Sequence, residues 1–129
     1  MLWSKNLETG IPKIDEQHKE LFRQADFLVD SSKSDKVEVT LNFLKDYVSK
    51  HFSDEEAYQR GSQYPKYEDH RKLHVEFAAI FKKKLEEYKQ ATNKTSVLLG
   101  INSIVVNWLK EHIMRHDREF AAFYLQKKN

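Results

Sequence analysis

Four separate stretches of this chain carry apolar residues at helical spacing, and in each of them the apolar stripe runs into histidine. In the first, Leu21, Phe22, Ala25, Leu28 and Val29 fall on one face, and His18 lies on it just ahead of the leading pair. In the second, Val37, Leu41, Leu44 and Val48 repeat at alternating steps of four and three, and the count continues onto His51, Glu55 and Tyr58. The third carries Leu73, Phe77, Ile80, Phe81, Leu85 and Tyr88, and its stripe projects back onto His70 and His74. The fourth carries Leu98, Ile101, Val105 and Trp108, with Ile104 beside them, and then reaches His112.

Three glycines and two prolines in 129 residues leave little material for tight hairpins, so helices are the economical solution. The expected fold is all-α, an antiparallel up-down-up-down four-helix bundle preceded by an N-terminal arm. Residues 1–14, which hold Gly10 and Pro12 and show no period, form that arm. Helices are expected over about 15–32, 36–60, 66–90 and 95–115, with a short C-terminal helical segment to about 126. Polar links fall at Ser31 to Asp35 and Gln90 to Thr95, and Gly61 and Pro65 punctuate the remaining junction. Residues 1–129 read as one domain, long enough to close a single core.

Composition narrows the function classes. Net charge is +2, with Lys and Arg interspersed among Asp and Glu, which argues against nucleic acid or an anionic membrane as the main ligand. There is no cysteine, so thiolate chemistry and disulfides are excluded and any metal must be held by nitrogen and oxygen. No run of about 18 apolar residues exists to span a membrane, and no secretory leader is evident, so a soluble cytoplasmic protein is expected.

A lone histidine on an apolar face is usually a hydrogen-bonded core residue. Here five occupy such positions, together with a carboxylate, and burying each unpaired costs a few kcal/mol. A shared metal ion satisfies them together. Residues four apart on a helix project side by side, so His51 with Glu55, and His70 with His74, can each aim two donors at one point. Five imidazoles plus carboxylates exceed what one tetrahedral zinc takes and suit two ions sharing bridging carboxylates, which favours iron or manganese. Neither the Glu-x-x-His pairs of ferritin-like di-iron proteins nor the His-Glu-x-x-His of zinc peptidases is present.

These segments resemble the hemerythrin family, in its bacterial single-domain form. Ile14-Asp15-Glu16-Gln17-His18 is similar to that family's first-ligand segment, His51 to Glu56 to its His-x-x-x-Glu motif, and His70 to His74 to its His-x-x-x-His motif. Trp108 to Ile113, followed by Asp117, is similar to the closing His-x-x-x-x-Asp motif. The resemblance implies two iron ions bridged by Glu55, Asp117 and an oxo or hydroxo group. His70, His74 and His112 would complete one iron; His18 and His51 would hold the other, leaving one position open for dioxygen. It also implies reversible oxygen binding for storage, delivery or sensing, without enzymatic turnover, which could serve an oxygen-consuming enzyme; a monomer is expected. Phe52, Trp108, Leu109 and Ile113 are candidates for an apolar wall around the ligand, as well as ordinary core. The alternatives are a di-iron enzyme reducing peroxide, oxygen or nitric oxide, and an iron-holding or structural bundle.

Three positions stay open. Spacing alone pairs His112 with His116, because Asp117, five residues on, is rotated by roughly 140° on a regular helix. The resemblance selects Asp117, which a local π-type turn or a helix end would bring inward. Glu56 reads either as a solvated neighbour of Glu55 or as an acceptor for an imidazole N–H. Phe120 stands where the family often has tyrosine, so any contact from that hydroxyl is missing.

Overall fold

The computed structural model describes residues 3–30 and 37–128. Among them the regular structure is helical: α1 (Pro12–Asp30), α2 (Val37–Gly61), α3 (Tyr67–Gln90), α4 (Lys94–His112) and α5 (Arg118–Lys128). A short 3-10 turn, Lys5–Leu7, precedes α1, and a π turn, Ile113–Asp117, joins α4 to α5. The polar link expected at Ser31 to Asp35 lies outside the described residues.

Each helix packs against its sequence neighbours, and α1 closes the ring on α4. The cross-helix contacts run in opposite order along each pair, as antiparallel neighbours require. Lys13 and Gln17 of α1 meet Asp54 and His51 of α2, Ala25 meets Asn102, and on α3 His70 and Phe77 meet His112 and Trp108. This is the up-down-up-down bundle that the four stripes predict.

Several boundaries differ from those read in the sequence, each for a local reason. Helix α1 begins at Pro12, not near Asp15, because proline's fixed φ and missing N–H suit the first helical position. Asp15 reaches back to accept from Thr9 N (2.8 Å), Thr9 Oγ1 (2.7 Å) and Gly10 N (3.1 Å), which fastens the arm to the helix start. Gly10 takes φ +90°, and a Cβ there would come within 2.9 Å of Leu125 Cδ1, so glycine also lets the arm press on α5. The break between α3 and α4 shrinks to three residues, 91–93. Asn93 caps α4 by accepting from Ser96 N, and Lys94 Nζ donates to the Tyr88 and Lys89 carbonyls ending α3. The last helix does not stop at 115 but runs through the π turn into α5.

Among the described residues the interior holds two apolar clusters. The larger includes Leu21, Phe22, Leu28, Leu44, Phe77, Ile101 and Leu109; the smaller is Ile11, Ile14, Tyr64, Phe120 and Ala121. Val29 and Ile80, expected in the stripes, are exposed. The true stripes are narrower, with His74, Phe77, Phe81 and Tyr88 carrying the buried seam of α3. His18 lies between Ile14 of one cluster and Leu21 of the other, so the polar layer sits where the clusters meet.

Candidate metal centre

Seven polar side chains, His18, His51, Glu55, His70, His74, His112 and Asp117, are buried together in that layer. They form two groups. Glu55, His70, His74, His112 and Asp117 bring one donor atom each within 4.8 Å of one another, and so do His18, His51, Glu55 and Asp117. The two carboxylates belong to both groups. Helical spacing delivers the pairs on α2 and α3, because four residues bring the side chain nearly once around the helix.

Asp117 needs a different device. The amide of Arg118 donates to the carbonyl of Ile113, a hydrogen bond spanning five residues, and this π turn brings residues five apart to the same side. Asp117 Oδ1 therefore lies 2.9 Å from His112 Nε2. His116 is half-buried, its ring 5.4 Å from that of His112, and it is in neither group.

The donor atoms lie close but are poorly satisfied by one another. Nε2 of His70 is 2.9 Å from Glu55 Oε1 and 3.0 Å from Asp117 Oδ1, Nε2 of His74 is 3.1 Å from Glu55 Oε1, and Nε2 of His18 is 3.0 Å from Asp117 Oδ2. Yet both oxygens of Glu55 and of Asp117, Nε2 of His74 and both nitrogens of His18 are buried without a well-directed hydrogen bond. Adjacent donors around a six-coordinate ion with bonds of about 2.1 Å stand about 3.0 Å apart. The spacing and the orphaned atoms both fit cations shared between the groups.

Outer partners fix two of the rings. His51 Nδ1 donates to Gln17 Oε1 at 2.8 Å, and Gln17 Nε2 donates to Asp54 Oδ2 at 2.8 Å. His74 Nδ1 donates to Glu56 Oε2 at 2.9 Å, so Glu56 is an imidazole acceptor and not merely a solvated neighbour. Both arrangements leave Nε2 facing inward with its lone pair available.

Without metal, the electrostatics of the two groups diverge. Burial, with the charge of His18 adding to it, pushes His51 down to about 3. Burial also opposes charge on His70, but the adjoining Asp117 and Glu55 carboxylates overcome it and push His70 up to about 10. His74 is raised as well, burial being outweighed by Glu55 and Glu56. Burial and Asp117 disfavour charge on Glu55, yet the His70 and His74 contacts bring it down to about 2.

A model of the hemerythrin HHE cation binding domain matches residues 9–124. The chain belongs to the hemerythrin family. It is 34% identical to a bacteriohemerythrin of Clostridium acetobutylicum over 92% of this chain and 97% of that protein. It is 27% identical to a myohemerythrin of Theromyzon tessulatum over 93% and 90%, and 28% identical to hemerythrin subunit 1 of Golfingia vulgaris over 94% and 90%. In this hemerythrin-family bundle the buried His, Glu and Asp cluster is a metal site of the kind the family's cation-binding description names.

Of the four residues expected as an apolar wall, Phe52 and Trp108 lie against histidines of the cluster. Phe52 stacks on His74 with centroids 3.9 Å apart and planes 5° apart, and Trp108 stacks on His112 at 4.3 Å and 12°. Leu109 and Ile113 are fully buried. Sequence reasoning passed over Gln17 and Phe77. Phe77, which stacks on Trp108 at 4.2 Å, was visible as stripe but not as wall. Gln17 precedes His18 and faces α2 instead of the core stripe, so no periodicity marks it. A groove of about 800 Å³ between α2 and α3, lined in part by Leu41, Phe52, Glu56, His74 and Phe81, reaches the outer edge of the His74 side. No described helix is long and apolar enough to cross a membrane.

Proposed function

We propose that this protein binds dioxygen reversibly at a pair of iron ions. His70, His74 and His112 would hold one ion and His18 and His51 the other, with Glu55 and Asp117 shared between the two donor groups. The observation that carries this reading is the pair of buried donor groups sharing exactly those carboxylates, three imidazoles against two. The unequal count leaves a coordination position for a small ligand on the side with fewer imidazoles. Held there, an iron pair would supply the electrons that dioxygen takes up on binding and gives back on release.

The chain's own residues hold and shield. Gln17 and Glu56 fix the imidazoles of His51 and His74 so that Nε2 faces the ions. Phe52 and Trp108 stack over His74 and His112, with Phe77 stacked behind Trp108, and keep water from that flank, while Leu109 and Ile113 are buried in the larger apolar cluster. Five neutral nitrogen ligands against two carboxylates offer little negative charge to stabilise highly oxidised iron. That composition, and relatives that bind oxygen without turning over a substrate, support a carrier over an enzyme.

The test is metal analysis together with the visible spectrum of the reduced protein, recorded before oxygen, under oxygen and after its removal. Two irons per chain and an absorption that develops and reverses are expected. A band that decays to permanently oxidised protein with continuing consumption of reductant would replace the carrier with a di-iron enzyme, and failure to take up iron would overturn both.

A further inference from the structure

Beyond the seven donors, Gln59 is the described polar side chain most completely sealed into the interior. Gln59 is 0% exposed, and neither its Oε1 nor its Nε2 has a hydrogen-bond partner. It follows His51 and Glu55 at four-residue steps on the buried face of α2, so its amide lies one turn past Glu55. Its backbone carbonyl accepts from Tyr64 N and Ser62 Oγ, which anchors it at the level of the smaller apolar cluster. An amide buried this way costs free energy unless something polar reaches it.

A second orphan belongs to the donor group that Glu55 shares. His51 and His74 give their outer N–H to Gln17 and Glu56, but Nδ1 of His18 is buried with no acceptor. A metal-bound imidazole almost always donates its other N–H. The α1 and α2 register, with Lys13 beside Asp54 and Gln17 beside His51, puts the N-terminal end of α1 against the C-terminal end of α2, and Gln59 stands there one turn beyond Glu55, which shares a donor group with His18. A helical side chain leans towards its own N-terminus, so the His18 ring leans towards Gln59.

We propose that Gln59 is a positioning residue for the centre: it holds one buried water that accepts the Nδ1–H of His18 and donates to Gln59 Oε1. The amide Nε2 is then directed to the Glu55 carboxylate one turn back. Two orphaned groups are satisfied by one internal water, and the His18 ring is fixed in the tautomer that turns Nε2 to the metal. This rests on the metal reading above.

The test compares wild type, Gln59→Met and Gln59→Glu. Each is crystallised with and without iron, titrated with iron against a chelator, and melted in the metal-free form. An ordered water within hydrogen-bonding reach of Gln59 and His18 Nδ1 is expected in the wild type. Gln59→Met, of similar length but apolar, should lose that water and bind iron about tenfold more weakly. Its metal-free form should melt no lower, because an unpaired amide has been replaced by an apolar group of like shape. Gln59→Glu keeps an acceptor at the same reach and should retain the water, while its second oxygen, facing the Glu55 carboxylate in place of the amide N–H, should lower iron affinity. Wild-type iron affinity in Gln59→Met, or a crystal structure in which the amide pairs only with protein groups, would overturn the inference while leaving the metal reading intact. A wild-type chain that takes up no iron would sink the metal reading itself.

Discussion

The two halves of the centre share two carboxylates but are built differently around them. On the α3 and α4 side, two of the three imidazoles, His74 and His112, lie under stacked aromatic rings, and His74 has as its outer partner a carboxylate at the edge of a groove. On the α1 and α2 side, two imidazoles are sealed in, and His51 has a neutral amide as its outer partner. The carboxylate partner raises the basicity of His74, whereas burial and neighbouring positive charge keep His51 neutral. One half thus contains imidazoles of raised basicity, His70 and His74, and the other contains His51, which is held neutral. A site that must hold two metals yet leave one of them able to take a guest needs this asymmetry.

The comparison breaks most completely where the halves are shared. Asp117→Ala should abolish loading of both ions, measured as iron per chain after reconstitution, because that carboxylate belongs to both groups. His74→Ala strikes one half, and iron and the oxygen-dependent absorption should fall together. Retention of both would remove His74 from the ligand set.

Next in size are the outer partners. Gln17→Leu and Glu56→Gln should each weaken metal affinity by about 10- to 100-fold. The glutamate change should also lessen the basicity of His74, which an NMR titration of the metal-free protein would read. Equal titration curves in wild type and Glu56→Gln would remove the distinction between the halves.

Smaller still is the response to pH. His70, raised from 6.5 to about 10, stabilises the metal-free fold fully below pH 6.5, and that contribution is lost as pH rises through about 10. His51, lowered from 6.5 to about 3, acts in reverse: its contribution is present above pH 6.5 and lost as pH falls towards about 3. Metal-free His70→Asn should therefore lose less stability than wild type on going from pH 7 to 10. His51→Asn should lose less between pH 6.5 and 4, both read from denaturant midpoints. Metal loading at pH 8 should release about one proton from His70, seen with an indicator dye, and His51→Asn should leave that release unchanged.

The smallest effect is expected from deleting Met114, an exposed residue of the π turn. It would place the aspartate four residues after His112, where a regular helix already turns it inward. Helicity and iron content should stay near wild type. Loss of the site would show that the π turn does more than aim Asp117.

Periodicity made the bundle legible because helical stripes and ligand pairs obey the same spacing: His51 with Glu55 and His70 with His74 are at once seam and site. What escaped the sequence were features set across helices or by backbone departures. Gln17 acts through α2, so its own helix gives no sign of it. Val29 and Ile80 belonged to a plausible stripe, but the neighbouring helices left them outside. The start of α1 depended on Asp15 folding back onto Thr9 and Gly10, a loop conformation that spacing does not encode. Asp117 was legible through the resemblance, and on geometry alone His116 would have taken its place.

The π turn has a consequence for chain length. A helix that absorbs one surplus residue as a local bulge keeps the phase of everything beyond it, so Phe120 and Ala121 reach the smaller apolar cluster as if the surplus were not there. The wider turn contains the change in count between the last imidazole and the last carboxylate. Chains with and without that residue can therefore present the same interior, and a single-residue insertion or deletion, ordinarily ruinous in a buried helix, becomes a silent edit at this one junction.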